Sequence, residues 1–522
     1  MVMRIVSNQR VHTTMTRYFS FGKARPGRTK IALFLLVAVL NHSAWAQFER
    51  PTTDTLKTQG VFYQALAGGL VSSSSRTPFW FRSNQFGAIP LGAPAGIVSV
   101  GASGLWGDAN QTKRPYIRAG VQLVGNVNRA SRFVLPEAYA AVRLGYGELY
   151  VGRRREVNGI TDTLLTSGSY AWSGNAAPIT QIRLGTKGFA PVKFTKGLLA
   201  VSAFYSHGWF AKTDSMQHSY LHAKALYIRI GKPAWKVRFY GGVAHYVQWG
   251  GYSDYLSKDF TFNGQIPVSW SAYKKVVFPG SVTGNNGQFA TFDTINRYGN
   301  HLGSVDAAME ISLKKANLLF YIQHPWEDQS GLDGGNFPDG IYGARWQNRS
   351  TDLNNGFRMV QLTAEFMTTM NQSGPDYPRG NDDYFHNFQY IDGWTHQRRI
   401  IGTPFITRRM DADPKWYGLR GPFNSISMIS NNRLQLLHIG AAGIFSSGVQ
   451  VSALLSQSWN WGRPDSVQPK AAIHQFSGLA TVILPTGWLG GMEWKASVAL
   501  DAGDWLTPSL GGMISILKRG RF

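Results

Sequence analysis

The sequence predicts an all-β protein, a transmembrane antiparallel β-barrel of about 18 strands. Three observations predict it: side-chain character alternating with period two along most of the chain, an N-terminal export signal, and a composition poor in charge but rich in Gly and aromatics. Of 522 residues, 16% are charged against a usual ~25%. Gly reaches 58, Trp 17 and aromatics 13%, while the mean hydropathy is slightly negative. That aromatic and aliphatic content excludes disorder. The lack of a second long apolar run excludes a bundle of membrane helices. With no Cys, disulfide scaffolds, Cys-ligated zinc, iron–sulfur clusters and thiol nucleophiles are excluded as well.

The first element is the export signal, residues 1–46. Arg4, Arg10, Arg17, Lys23, Arg25, Arg28 and Lys30 precede any acid, Ile31–Leu40 is unbroken apolar sequence, and Ala44-Trp45-Ala46 offers small residues at the cleavage positions. This is the charged, apolar and small-residue order of a secretory signal; its apolar run is too short for a membrane anchor. The long charged region leaves Met15 as an alternative start. A short periplasmic extension is expected over 47–60, and the barrel over 61–522.

Strand signals then recur to the end. In Pro115–Asn126, Ile117, Ala119, Val121 and Leu123 alternate with Arg118, Gly120 and Gln122. In Val305–Leu313 the odd positions are apolar, against Asp306, Ala308, Glu310 and Ser312. Met492–Leu500 sets Met492, Trp494, Ala496, Val498 and Leu500 against Glu493, Lys495, Ser497 and Ala499. Lys236–Val247, Val360–Thr368 and Val449–Leu455 behave alike. Successive strand side chains point to opposite faces, so one face is apolar and the other polar. A soluble sandwich shares this rhythm. Strand length, export and low charge favour the barrel, with lipid outside and a polar lumen within.

Connections test this independently. Tight links fall at Gly145–Gly147, Gly231–Ala234, Lys314–Ala316, Ser446–Gly448 and Pro485–Gly487. Between them lie long ones: Arg153–Ile179, His207–Ser219, Gly250–Leu302, Pro325–Asp339, Asn371–Asn431 and Asn460–Ala471. Short periplasmic turns alternating with long outer loops are what an outer-membrane barrel requires. The parity rests on Asn371–Asn431 being one loop; a strand near Ile400–Arg408 would break it. The final strand, Ser509–Arg519, runs to Phe522, a terminal aromatic of the kind that outer-membrane assembly machinery reads.

An ordered set of motifs then carries a family resemblance: Thr77–Gly87, Gly152–Glu156, His207–Phe210, Leu226–Pro233, Phe239–Gly242, His245–Gly251, His324–Asp328 and Gly340–Gly343. Spanning roughly 77–345, it resembles the Wzi-type capsule assembly proteins of the outer membrane, in the form found in Bacteroidetes-like bacteria. The resemblance implies an 18-stranded barrel with a plugged lumen, acting as a lectin-like anchor for capsular polysaccharide. Well-known relatives carry a helical plug before the barrel. Here the stretch after Gln47 is short, so Thr77–Pro90 is either that plug or the first outer loop.

Catalytic signatures are missing from the sequence: neither a Gly-x-Ser-x-Gly elbow nor a His-Glu-x-x-His helix occurs. The protein is therefore expected not to be an enzyme, and no cofactor or metal is called for. His207, His218 and His222 read as lumen or loop histidines rather than ligands. Glu327, Asp328, Asp333 and Asp339 lie among glycines, yet their spacing misses the calcium-loop pattern.

The charge balance, a formal +24, asks for a polyanion, and an exported barrel meets little nucleic acid. Acidic sugars and lipopolysaccharide phosphates are the polyanions outside. Arg forks suit carboxylate and phosphate, and sugar C–H faces stack on aromatic rings. The candidate polysaccharide contacts are Trp326, Trp394, Arg398, Arg399, Arg408, Arg409, Trp416, Tyr417, Trp459 and Trp461. The competing role for Trp459 and Trp461 is the interfacial aromatic girdle. Arg153, Arg154, Arg155, Asp306, Glu310 and Lys314 are assigned to lumen electrostatics, with lipid phosphate an alternative partner for Arg153–Arg155. The expected protein is a monomeric polysaccharide anchor in the outer membrane, inserted by the barrel-assembly machinery and in contact with outer-membrane lipid. A porin for an anionic or sugar solute is the alternative, and a lipid or glycan hydrolase the third.

Overall fold

The computed structural model describes residues 59–522, apart from 110–112, 280–288, 296, 351–355, 375–381, 421–426, 465–468 and 489. The export signal lies outside the described residues, as does most of the 47–60 extension.

Alternation becomes a closed ring of 18 strands. In chain order they are β1 (Gly60–Ser72), β2 (Ala95–Trp106), β3 (Tyr116–Val127), β4 (Arg132–Leu144), β5 (Gly147–Arg153) and β6 (Thr180–Thr186). Then come β7 (Leu199–Trp209), β8 (Tyr220–Ile230), β9 (Val237–Trp249), β10 (Asn300–Ser312), β11 (Ala316–Trp326) and β12 (Gly340–Asn348). The last six are β13 (Phe357–Thr368), β14 (Leu434–Phe445), β15 (Gln450–Asn460), β16 (Ile473–Leu484), β17 (Met492–Gly503) and β18 (Ser509–Arg521). Ala190–Pro191 continues β6 along β7. Each strand pairs antiparallel with its chain neighbours, and β18 returns to β1 with Phe62 opposite Arg521 and Ser72 opposite Gly511. Closure leaves no edge, so the backbone polar groups of the wall are satisfied without water.

The segment 369–433 contributes no barrel strand. Thr395–His396 pairs with Arg399–Ile400, and Thr407–Arg408 with Ile429–Asn431, in two small ladders separate from the wall. Parity is therefore kept.

Burial identifies the two faces. On β3, Ile117, Val121 and Leu123 are 47%, 50% and 39% exposed, while Arg118 and Gln122 are 1% and 3%. On β17, Val498 and Leu500 face out and Lys495, Ser497 and Asp501 face in. The outward belt continues through Leu149, Val151, Leu184, Leu226, Ile228, Phe239, Phe320, Leu437, Ile439 and Ile514. Leaving each such side chain in water forgoes about 1.5–3 kcal/mol. Over a whole belt that rules out a water-facing wall, and lipid must cover it.

One end of the barrel carries the links 107–115, 145–146, 187–198, 231–236, 313–315, 349–356, 446–449 and 485–491. The β4–β5 turn is only Gly145-Tyr146, with Gly145 at φ +59°, a conformation that suits glycine. Both ends of the strand ring lie on this side. The other end carries the long links, among them 73–94, 154–179, 250–299, 327–339 and 369–433.

Three of those long links turn inward and interlock as a plug. From the first comes α1 (Phe79–Arg82), all four residues buried. The Gly87 and Asn126 environments tie it down: Gly87 N–H donates to Asn175 O at 3.2 Å, and Asn126 Nδ2 to Ala88 O at 2.9 Å. The second and third meet where Ser173 N–H donates to Ile401 O (2.8 Å), Thr403 N–H to Tyr170 O (2.9 Å) and Trp394 Nε1 to Ala171 O (2.8 Å). Phe79, Trp80, Phe81, Leu165, Tyr170, Trp172, Tyr384, Phe385, Trp394, Ile400, Phe405 and Ile406 form one apolar core with inward wall residues. Thr77–Pro90 is thus both the first outer loop and part of the plug. Gly440 on β14 permits the close approach, since a Cβ there would stand 2.6 Å from Leu165.

Wall carboxylates rivet this plug. Asp306 accepts from Ile160 N–H (2.8 Å), Glu365 from Ser167 N–H (2.6 Å) and Thr166 Oγ1 (2.7 Å), and Asp501 from Phe79 N–H (2.7 Å). Charged acceptors make the stronger hydrogen bonds, so acids placed on the lumen wall fix loops that have no regular structure. A ring closed this way, with no free edge, is expected to survive SDS at room temperature. The mature protein is expected to run faster unheated than boiled on a gel; identical migration would contradict the barrel.

Candidate functional site

At the outer end, the surface above the plug is built on a buried ion cluster. Arg408 lies 3.0 Å from Asp411, and Arg82 of α1 reaches the same carboxylate at 3.4 Å. Burial works against that carboxylate, but Arg408 and Arg82 hold its pKa well below the usual range. Arg399, also buried there beside Arg82, is pushed down to about 9, and its Nη2 donates to Ile89 O at 2.6 Å. These cations fasten the plug.

Above them, Pro414–Trp416 forms a single 3₁₀ turn capped by Asp413, whose Oδ1 accepts from Lys415 N–H at 3.1 Å. Proline at its first position fixes the turn. Trp416 is thereby laid on Trp505 (centroids 5.9 Å apart, planes at 20°), and its Nε1 donates to Asp504 O at 2.7 Å. Arg76 from the first loop donates to the Tyr417 hydroxyl at 2.6 Å and to Met410 O at 3.3 Å. Arg409, half-buried, donates to Leu419 O at 3.3 Å. Arg76, Arg409, Lys415 and Arg420 stand here with Trp416 and Tyr417, against the acids Asp413 and Asp504. Such a surface offers fork donors for carboxylates and ring faces and edges for sugars.

Beside it lies an acidic group. Glu327 accepts from Phe385 N–H (2.8 Å), Asp339 from Asn371 N–H (3.0 Å), Gln372 N–H (2.8 Å) and the Tyr384 hydroxyl (2.9 Å), and Asp328 caps α2 (Gln329–Leu332) through Ser330 N–H at 2.7 Å. Asp383 pairs with Arg463. Among the described residues no group of three or more His, Asp or Glu is arranged to hold a metal ion. These carboxylates instead staple link 327–339 to link 369–433. Burial, reinforced by Asp328, pushes Asp382 up to about 7. Its folded pKa thus exceeds the unfolded value near 3.9, so its contribution is present at pH 4 and is lost as pH rises towards 7. Asp382→Asn is expected to slow proteolysis of 369–433 at least about tenfold at pH 8 and to change little at pH 4. Equal effects at both pH values would refute this.

Towards the short-link end, the plug leaves a cavity of about 430 Å3 lined by Arg143, Arg154, Arg183, Arg345, Glu148 and Glu310, among others. Arg154 bridges Glu148 (2.7 Å) and Glu156 (2.6 Å), Arg183 joins Glu156 at 2.7 Å, and Arg238 joins Glu310 at 3.0 Å.

A family model described as capsule assembly protein Wzi matches residues 95–407 of this chain. The chain belongs to the Wzi capsule assembly family. It is an outer-membrane barrel, so the long-link end faces outward. Wzi of Escherichia coli, described as a carbohydrate-binding β-barrel of the outer membrane involved in group 1 capsule assembly, is 15% identical, with 87% of this chain and 83% of that one covered at a TM-score of 0.54. Pseudomonas aeruginosa OccK5 (OpdH) is 9% identical over 90% of this chain and 99% of its own, at 0.45. Salmonella typhi OmpF, in complex with daunomycin, is 9% identical over 88% and 97%, at 0.38. Among curated protein sequences none matches.

In this Wzi-family barrel the sequence-predicted contacts separate. Arg409, Trp416 and Tyr417 come together on the outer surface, and Arg408 lies beneath them in the ion cluster with Asp411. Arg398 stands 79% exposed near Asp214 (3.6 Å). Trp459 lies on the outward wall face at the outer end of β15, half-buried beside His474 (6.1 Å), which is a girdle position; Trp461 follows it, half-buried. Three residues are corrected. Trp394 is fully buried against Trp172 and Phe210, Trp326 is covered by Gly331 of α2, and Arg399 is sealed in the plug. Trp394 and Arg399 lie in a long loop that folds inward, whereas Trp326 ends β11 on the outward register, opposite Gly303 and beside His245 (5.1 Å between centroids).

The lumen set separates too. Arg154, Arg155, Asp306 and Glu310 face inward. Arg153 is corrected: it is the outward residue of its pair, donating to Thr180 Oγ1 at 2.7 Å. So is Lys314, which is exposed in the turn after β10, because the alternation runs on one turn beyond the strand. Sequence reasoning missed Arg76, Lys415 and Trp505 on the outer surface and Glu365 and Asp501 on the wall.

Proposed function

We propose that this barrel is a non-catalytic anchor that retains an acidic capsular polysaccharide at the cell surface, in the Bacteroidetes-like form of the family and as a monomer. One observation carries the reading: the outer end is sealed by a plug whose exposed surface groups Arg76, Arg409, Lys415 and Arg420 with Trp416 and Tyr417. A filled lumen favours a binding surface over a pore. Arg forks meet sugar carboxylates while Trp416 and Tyr417 meet sugar rings, and contacts repeated along a polymer sum to avidity. A strain lacking the protein is expected to make normal amounts of polymer and release it into the medium. A strain that makes no polymer would refute retention.

A further inference from the structure

Link 250–299 behaves unlike the plug loops. Its helix α3 (Trp270–Val277), N-capped by Ser269 whose Oγ accepts from Ala272 N–H at 3.1 Å, lies against the outside of the wall. Tyr273 reaches the outward residue Tyr205 of β7 (hydroxyl to hydroxyl, 2.5 Å) and packs beside Trp249 and His222 (5.5 and 5.9 Å between centroids). The ammonium of Lys224, outward on β8, donates to Val277 O. Ala272 and Val276 are fully buried against this wall.

The wall beneath explains the cover. His207, His222, Lys224, His245 and His301 occupy the outward register on β7–β10, in line with the lipid-facing Leu226, Val243 and Val305. Polar side chains there are poorly solvated by lipid. The helix shields them and turns another surface outward. On that surface Trp270 (70% exposed), Lys274 and Phe278 (75% exposed) recur every four residues, so they share one stripe. Val268 is exposed beside them, and no Asp or Glu occurs from Phe260 to Pro279. Lys224 stands 5.4 Å from the Phe278 ring, at the upper margin of the lipid belt.

Exposed aromatic residues flanking lysine, on a short helix at the outer edge of a lipid-facing wall, fit an interfacial surface rather than a water-facing one. Lys274, in a stretch whose sequence carries no acid, and Lys224 set the headgroup charge. We propose that α3 and Lys224 form a docking site for a phosphorylated glycolipid of the outer leaflet, with phosphate on Lys274 and Lys224 and acyl chains against Trp270 and Phe278. This surface is separate from the polysaccharide surface over the plug.

The test uses the full mature protein in vesicles, with photoreactive p-benzoylphenylalanine replacing Phe278. Vesicles contain lipid A carrying both phosphates or the same lipid dephosphorylated. Illumination is expected to give an adduct mainly with the phosphorylated lipid, and Lys274→Glu to lower its yield at least about fivefold, the effect of one lysine charge near an anionic surface. Both positions are exposed, so heat-modifiable migration checks that the barrel stays intact. Equal adducts with the two lipids, none with either, or indifference to Lys274→Glu would overturn the site. Loss of the adduct to millimolar inorganic phosphate would also overturn it, by making the site a general anion pocket. Polymer retention is read separately, so failure of either leaves the other standing.

Discussion

Excising residues 157–178 and bridging the gap with a short Gly/Ser linker is expected to convert a closed barrel into a conducting one. The segment supplies Leu165, Tyr170, Trp172 and Ala177 to the plug core, and it bonds to both of the other inward loops: Asn175 O receives Gly87 N–H, and Tyr170 O receives Thr403 N–H. It also supplies the groups that Asp306 and Glu365 hold. Each hydrogen bond to a charged acceptor contributes about 1.5–3 kcal/mol, and each large apolar side chain a similar amount. Together these far exceed thermal energy, so the intact protein should pass no steady current in a planar bilayer. Without the segment, the wall remains a closed 18-stranded ring, and rings of that size enclose an aqueous channel. The excised variant should conduct steadily while keeping heat-modifiable migration. Glu365→Gln, which only weakens one rivet, should give brief openings at most. A folded, excised barrel that stays silent would mean that this loop is not the seal.

The wall was legible from the sequence because a strand exposes each residue to one of two solvents. Ile117, Val121 and Leu123 against Arg118 and Gln122 suffice to orient β3. The plug was not legible by that rule, since loops have no period. A different signal was present: Thr163–Ile179 contains no charged residue but does contain Leu164, Leu165, Tyr170, Trp172 and Ile179. A solvated outer loop would not be composed this way. The same holds for Ile400–Thr407, where Ile400, Ile401, Phe405 and Ile406 are buried. The candidate site was half legible for the same reason. Arg408 and Arg409 are neighbours in sequence, yet the first is locked onto Asp411 and the second lies at the surface. Arg76 could not be placed beside Tyr417 from sequence, because the contact joins the first outer loop to the seventh.

Replacing Arg76, Trp416 and Tyr417 together by Ala is expected to abolish measurable retention of the polymer while leaving a single repeat unit only weakly affected. A lone Arg–carboxylate or ring–sugar contact at an exposed site is weak, because water and salt compete for each partner. A polymer engaging several such contacts gains effective concentration for each one after the first, which raises affinity by about 10²–10⁴-fold without any new chemistry. In the intact protein, a long chain should therefore bind far more tightly than its isolated repeat. The triple variant should bring the two together, and raised ionic strength should weaken the long chain more than the short one. Trp416 and Tyr417 are half-buried over Trp505 and Arg76, so the variant loosens the cap locally; the plug below, pinned through Arg82, Arg408 and Asp411, stays closed and bilayer silence reports it. Isothermal titration with size-fractionated polymer decides the matter. If long and short chains bind the intact protein equally, a single enclosed subsite holds the sugar, and the surface over the plug is not where retention occurs.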